Sequence, residues 1–241
     1  MSVQIYKTQE ELFADLARYI INIANTSIAE KGRFDFVLTG GNSPKELYHQ
    51  LATIYRSEID WTKVYFFFGD ERNVLPDHEN YNGLMAKKSI LEPLNIPEDH
   101  IFYVNTELAP DKAALAYKEA ITKHFDGAAL SFDLILLGMG DDAHTASLFP
   151  ETEILKNTSI SVDSVYVEKL STFRISFTAP LINKAKNVAF LVFGENKANA
   201  AKHVIQPKDR NPFLYPSQLI QPTDGSLTWF LDSQAASLLE S

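Results

Sequence analysis

The sequence predicts an α/β fold in which a mainly parallel sheet carries helices on both faces, built as a single domain over residues 1–241. Three observations carry that expectation. Short β-rich runs alternate with helical patterns along the chain. Several of the runs are apolar nearly throughout, as strands covered on both faces are. No repeat, low-complexity tract or charged linker divides the sequence.

In chain order, the first helix is expected at residues 8–30, where Thr8 followed three residues later by Glu11 makes a capping-box pattern. A strand at residues 34–38 leads into a helix at 44–55, with Ser43 as its N-cap and Pro44 at the first helical position. A second strand at 64–68 precedes a helix at 82–91, and a third at 101–104 precedes a helix at 111–125. Further strands are expected at 132–137, 174–177 and 188–193, and helices at 197–205 and 232–239. The proline-rich stretch 206–216 is expected to cross the surface as a loop.

Composition narrows the function classes. Lysine and arginine total 22 against 31 acidic residues, a formal net charge of −9. Such a field repels phosphate backbones and argues against nucleic acid or an anionic membrane as a partner. A small phosphorylated ligand is still compatible, because a few local donors outweigh a distant net charge. The absence of cysteine excludes disulfides, a thiol nucleophile and thiolate metal sites, and fits a reducing cytoplasm. The opening MSVQIYKTQEELF lacks the regions of a signal peptide, and no apolar run is long enough to cross a bilayer. A cytoplasmic location is expected.

Ligands of open parallel sheets bind beyond the carboxyl ends of the strands, and the unusual residues of this chain follow strands repeatedly. Thr39–Gly40–Gly41–Asn42–Ser43–Pro44 reads either as an ordinary strand-to-helix turn or as a ring of backbone donors at a helix start, suited to phosphate. Gly69–Asp70–Glu71–Arg72 reads as a solvated turn or as a site in which Arg72 grips an anion with its planar fork. Gly138–Met139–Gly140–Asp141–Asp142–Ala143–His144 fits a relaxed dinucleotide fingerprint. That fingerprint normally opens the first βαβ unit, whereas this copy lies past the middle of the chain with Pro150 soon after it. The other reading has the glycines bringing backbone N–H groups near a ligand while His144, ahead of an expected Thr-Ala-Ser helix start, points into the same cleft. His49, His78, His100, His124 and His203 read as surface or packing residues. Neither Ser43 nor Ser147 lies in G-x-S-x-G, no P-loop or H-E-x-x-H occurs, and the histidines do not cluster at metal-ligand spacing.

At these motifs the chain resembles the 6-phosphogluconolactonases of the pentose phosphate pathway. The resemblance covers TGGNSPKELYHQL, GDERNV with HENYN, FDLILLGMGDDAHTASLFP, RISFTAPLINKA, FLVFGENKA and LTWFLDSQAA, in the family's order and over nearly the whole chain. It implies a three-layer α/β/α domain, shared with glucosamine-6-phosphate deaminases and ribose-5-phosphate isomerases, and 6-phospho-glucono-1,5-lactone as substrate. His144 would then be the general base for water, a task suited to an imidazole of ordinary pKa, about 6.5. Asp70 or Asp142 would orient the ring. Phosphate would fall to the loop Gly40, Gly41, Asn42 and Ser43, with Arg72, Arg174 and Lys197 as cations. No cofactor or metal is implied, and a monomer or small homo-oligomer is expected.

Two rivals are weighed beside it. The deaminases share Asp-x-His but continue to a catalytic glutamate in Asn-Glu-Pro, where this chain has HTASLFP with Phe149 fifth after His144. They also carry Asp-Glu-Tyr where this chain has Asp-Glu-Arg. The other rival is a module that binds a sugar phosphate without turning it over. One position departs from the lactonase pattern: Ala143 replaces the usual glycine of Asp-Gly-His. The expectation is that alanine fits there with φ < 0 after a small local shift.

Overall fold

The computed structural model describes residues 1–240. Helix α1 (Gln9–Lys31) starts as its capping box requires. The Thr8 hydroxyl accepts the Glu11 N–H at 3.2 Å, and the Glu11 carboxylate accepts the Thr8 N–H at 3.3 Å. It ends at Gly32 in the left-handed region, φ +81°.

Six parallel strands form the large sheet: β1 (Ser2–Tyr6), β2 (Phe34–Leu38), β3 (Val64–Phe68), β5 (Leu134–Gly138), β8 (Asn187–Val192) and β9 (Ser226–Asp232). Their spatial order is β1-β9-β8-β5-β2-β3. A small antiparallel sheet orders β4 (Asp70–Arg72), β7 (Thr172–Phe177) and β6 (Val162–Val167).

Strand alternation divides the core into two. Phe34, Phe36, Leu38, Phe66, Phe68 and Leu136 face α1, α2 (Lys45–Ala52), α3 (Asn82–Ala86) and α4 (Glu92–Leu94). Val37, Phe67, Ile135, Leu137, Phe190 and Trp229 face α5 (Pro110–His124), α6 (Ala179–Ile182), α7 (Ala198–Ile205) and the small sheet. The result is a three-layer α/β arrangement. No helix among the described residues is long and apolar enough to cross a membrane.

Several expectations need correction. Residues 101–104 form no strand: Ile101 makes one bridge to Phe66, and Phe102 and Tyr103 stack on Phe67 and Phe68, so their apolar character comes from covering the sheet edge. Asp70–Arg72 is a strand rather than a turn. The strand at 172–177 belongs to the antiparallel sheet. Residues 233–238 form turns because the Asp232 carboxylate accepts the Ala235 N–H at 2.7 Å and ends the chain's extended run there. Helix α2 begins at Lys45 with Pro44 as its cap residue and no side-chain cap, so Ser43 is not the N-cap. No helix starts at Thr145, which instead bridges to Leu148.

Chain order creates the site. The chain leaves β2 outward to β3, and leaves β5 in the opposite direction to β8. Their carboxyl ends therefore diverge, opening a crevice at the topological switch point.

Candidate active site

A cavity of about 390 Å³ occupies that crevice. Gly40, Gly41 and Ser43 line it after β2, Asp70 and Arg72 from β4, Gly140 and His144 after β5, Arg174 from β7, and Lys197 after β8. The sequence motifs thus meet in one place.

Strand β4 sorts its side chains by alternation. Asp70 and Arg72 share one face, while Glu71 is turned the other way and is 1% exposed. Its carboxylate accepts the N–H groups of Arg72, Asn82 and Gly83 at 2.7, 2.8 and 2.9 Å. Burial pushes the Glu71 carboxyl up to about 8, against the opposing effect of those donors. Glu71 is therefore a strut that fixes the start of α3. Asn82, so fixed, donates to the Asp70 carbonyl at 2.9 Å. A Cβ on Gly40 would lie 2.0 Å from the Asn82 amide oxygen, so glycine is needed for that close approach.

Arg72 lies directly opposite Arg174 across the β4–β7 pair, and Asp70 opposite Ser176. Like charges facing each other across a strand pair repel. Burial lowers the Arg174 pKa, Asp70 opposes that change, and Arg72 adds to it. The Nε atoms of both arginines are buried without a partner among the described residues. With Lys197 in the same wall, this is an arrangement that an anion would complete.

The turn after β5 carries the base. Gly140 N–H donates to the His144 carbonyl at 2.8 Å, and Ala143 N–H to the Gly140 carbonyl at 3.1 Å. A Cβ on Gly140 would sit 2.1 Å from His144 Nδ1, so this glycine makes room for the imidazole. Phe149 stacks under the ring at 4.1 Å between centroids. His144 Nδ1 is 2.5 Å from Asp142 Oδ1, and Lys169 Nζ donates to the second Asp142 oxygen. Burial would raise the Asp142 carboxyl, but the hydrogen bond from His144, its charge and the hydrogen bond from Lys169 prevail and hold it below the usual carboxylate range. An ionised Asp142 on Nδ1 leaves Nε2 for a water or a substrate atom.

Three expectations change at this level. Asp70 does not orient the imidazole: its carboxylate accepts from Ser147 Oγ at 2.7 Å, and Asp142 takes that role from behind the ring. Asn42 is exposed and outside the cavity wall, because the chain turns there and its carbonyl accepts the Lys45 N–H at 3.3 Å. Ala143 adopts φ +61°, the left-handed region, rather than φ < 0. Two donors from Ser217 hold its carbonyl, N–H at 3.0 Å and Oγ–H at 2.7 Å, and its methyl is fully buried.

Sequence reasoning missed Lys169 and Leu170, which reach the cavity from the tip between β6 and β7 and follow no glycine-marked strand end. It also passed over Asn82, although this lies within the quoted motif HENYN, and used Phe149 only to set the chain apart from the deaminases, not as a partner of His144.

The model of the family described as glucosamine-6-phosphate isomerases/6-phosphogluconolactonase matches residues 7–229. A 6-phosphogluconolactonase from a Nostoc species is 40% identical over 244 residues, covering 99% of this chain and 98% of that protein. One from a Synechocystis species is 42% identical over 215 residues, covering 87% and 86%. The crystal structure of 6-phosphogluconolactonase from Thermotoga maritima superposes with a TM-score of 0.83 at 25% identity, covering 96% of this chain and 99% of that one. On the family match and these identities over nearly its whole length, the chain belongs to the glucosamine-6-phosphate isomerase/6-phosphogluconolactonase family.

Proposed function

We propose that this protein hydrolyses 6-phospho-D-glucono-1,5-lactone to 6-phosphogluconate, the lactone-opening step of the oxidative pentose phosphate pathway. The observation that carries this reading is His144, held from behind by Asp142, facing the same cavity as Arg72, Arg174 and Lys197. A base and an anion cradle share one pocket of a size that suits a sugar phosphate.

In this mechanism Arg72, Arg174 and Lys197 hold the phosphate, with the Gly40–Gly41 turn and Ser43 beside it. His144 Nε2 removes a proton from water as the water oxygen bonds to the lactone carbonyl carbon. Asp142, ionised, stabilises the imidazolium that forms. N–H groups of the turn after β5 other than those of Gly140, Ala143 and His144, which are bonded within it, receive the oxyanion. The tetrahedral intermediate then collapses, the bond from carbon to ring oxygen breaks, and the imidazolium returns its proton to that oxygen. The protein is proposed to act in the cytoplasm, as one domain and as a monomer or small homo-oligomer.

Phe149 argues against the deaminase chemistry, because an aromatic ring stacked on His144 stands where that reaction would want a carboxylate. Incubating the protein with the lactone and, separately, with glucosamine 6-phosphate tests the reading. Acid release from the lactone above the spontaneous rate, with no ammonia from the amino sugar, is expected. Ammonia release would overturn it, and so would inertness towards both.

A further inference from the structure

A second cavity, of about 370 Å³, lies on the α7 side of the large sheet, between the end of α7, the 207–222 segment and the first half of β9. We infer that it is a binding site for a small carboxylate with an apolar body, separate from the catalytic crevice.

The argument starts from Trp229, which forms part of the wall and is 1% exposed. Phe190 stacks on it at 3.8 Å with 6° between the planes, so the indole is fixed in place. Its N–H is buried with no partner among the described residues. The other tryptophan, Trp61, shows the usual arrangement, donating to the Arg56 carbonyl at 2.8 Å. A buried donor left unmade costs about 1–3 kcal/mol, and an indole can only donate. Whatever completes this site therefore brings an acceptor.

The remaining polar groups of the wall select its charge. Gln218 is committed at both ends, accepting from the Asn211 N–H at 2.8 Å and donating to the His203 carbonyl at 2.7 Å. Ser217 Oγ donates to the Ala143 carbonyl. Arg210 makes a single hydrogen bond among the described residues, from Nη2 to the Gln218 carbonyl at 3.1 Å, and keeps other N–H groups for a ligand. Gln221, also in the wall, keeps a side-chain amide that can donate or accept and so selects neither sign. The charged side chain left uncommitted is the Arg210 guanidinium, a donor beside the indole N–H. A carboxylate satisfies both, whereas a neutral carbonyl leaves the guanidinium without a counter-charge. Val204, Ile220 and Leu227 supply apolar walls for the rest of the molecule. One water would satisfy the indole, but it occupies only about 30 Å³ and leaves those walls wet. Ser217 also ties the cavity to the catalytic turn, since its side chain and N–H both hold Ala143.

Benzoate is a suitable probe, with benzamide as its neutral counterpart. In ¹⁵N–¹H spectra of the full chain, with Trp61→Phe assigning the two indole signals, benzoate should move the Trp229 indole signal saturably below about 20 mM, a range that suits fragment-sized ligands. Benzamide should bind at least about threefold more weakly, and Arg210→Ala should weaken benzoate by at least the same factor. The Ala143 amide signal should move with the indole and lose its response in Arg210→Ala. A static indole signal, equal response to benzamide, or a smaller loss in Arg210→Ala would overturn the site. An Ala143 response that is absent, or that survives Arg210→Ala, would overturn the link to the catalytic turn. No substrate enters these measurements, so they stand apart from the lactonase reading.

Discussion

Asp142→Asn tests the catalytic pair most directly. Asp142 contacts His144 Nδ1 at 2.5 Å, accepts the His144 backbone N–H at 3.2 Å, and receives Lys169 on its second oxygen. Asparagine keeps the size and the backbone contact but removes the charge. A hydrogen bond to a charged partner is worth about 1.5–3 kcal/mol and a neutral one about 0.5–1.5 kcal/mol. The difference, roughly 1–2 kcal/mol, acts only when the imidazole becomes cationic in the transition state. Because the pair is partly open to solvent, the lower half of that range is the better guide. The expected loss in kcat is therefore about 5–13-fold, with KM changed by less than about threefold. Initial rates of acid release in weak buffer, corrected for spontaneous lactone opening, measure the effect. Unchanged kcat would refute the pair.

Four further outcomes follow from the same geometry. His144→Ala should lower kcat by about 10²–10⁴-fold without loss of thermal stability, and near-normal turnover would remove it from the mechanism. Arg72→Ala, Arg174→Ala and Lys197→Ala should each raise KM by about tenfold or more and weaken competition by inorganic phosphate, the loss of roughly one charge-assisted contact; unaltered phosphate inhibition in all three would place the anion elsewhere. Glu71 titrates at about 8 in the fold against an ordinary 4.5, so the native state holds its proton where the unfolded chain has released it, and this group's contribution to stability falls as pH rises from 4.5 towards 8. Glu71→Gln removes that slope, so its stability relative to wild type should improve between pH 5 and pH 8 in urea titrations; a constant difference would refute the assignment. Ala143→Gly should change stability by about 1 kcal/mol or less and kcat/KM by less than about tenfold, and a larger rate gain would show that alanine has displaced His144.

What the sequence discloses and conceals follows from the range of the interactions involved. Residues 34–38 and 64–68 are legible as strands because burial on both faces makes them continuously apolar. The glycines at 40 and 140 stand out because close approach to Asn82 and His144 forbids a side chain. Strand β1 is not legible: SVQIY is largely exposed at a sheet edge and shows no apolar face. Lys169 reaches Asp142 from 27 residues away, across a sheet whose strands pair antiparallel, and no local pattern announces that distance. Asp142 and Asp70 look interchangeable in sequence. Only the fold gives one to the imidazole and the other to Ser147.

Ala143 shows the same principle in the backbone. Three non-glycine residues near His144 have positive φ: Ala143 at 61°, Ala146 at 47° and Glu151 at 62°. Each costs about 1 kcal/mol or more, so the segment persists only because distant groups hold it. Ser217 clamps the Ala143 carbonyl from 74 residues away, Ser176 Oγ accepts the Ser147 N–H at 3.1 Å, and the Phe213 carbonyl accepts the Glu151 N–H at 3.0 Å. Glycine at 143 would relieve about 1–2 kcal/mol of strain. Against that, it would give the unfolded chain about 0.5–1 kcal/mol of added entropy and lose about 0.8 kcal/mol of methyl burial. These effects nearly cancel. The clamps remain in either case, and they set where His144 stands over Gly140. Alanine in place of the family's glycine is therefore a substitution that the fold tolerates at little cost, because the left-handed turn is imposed by its partners rather than by the residue that adopts it.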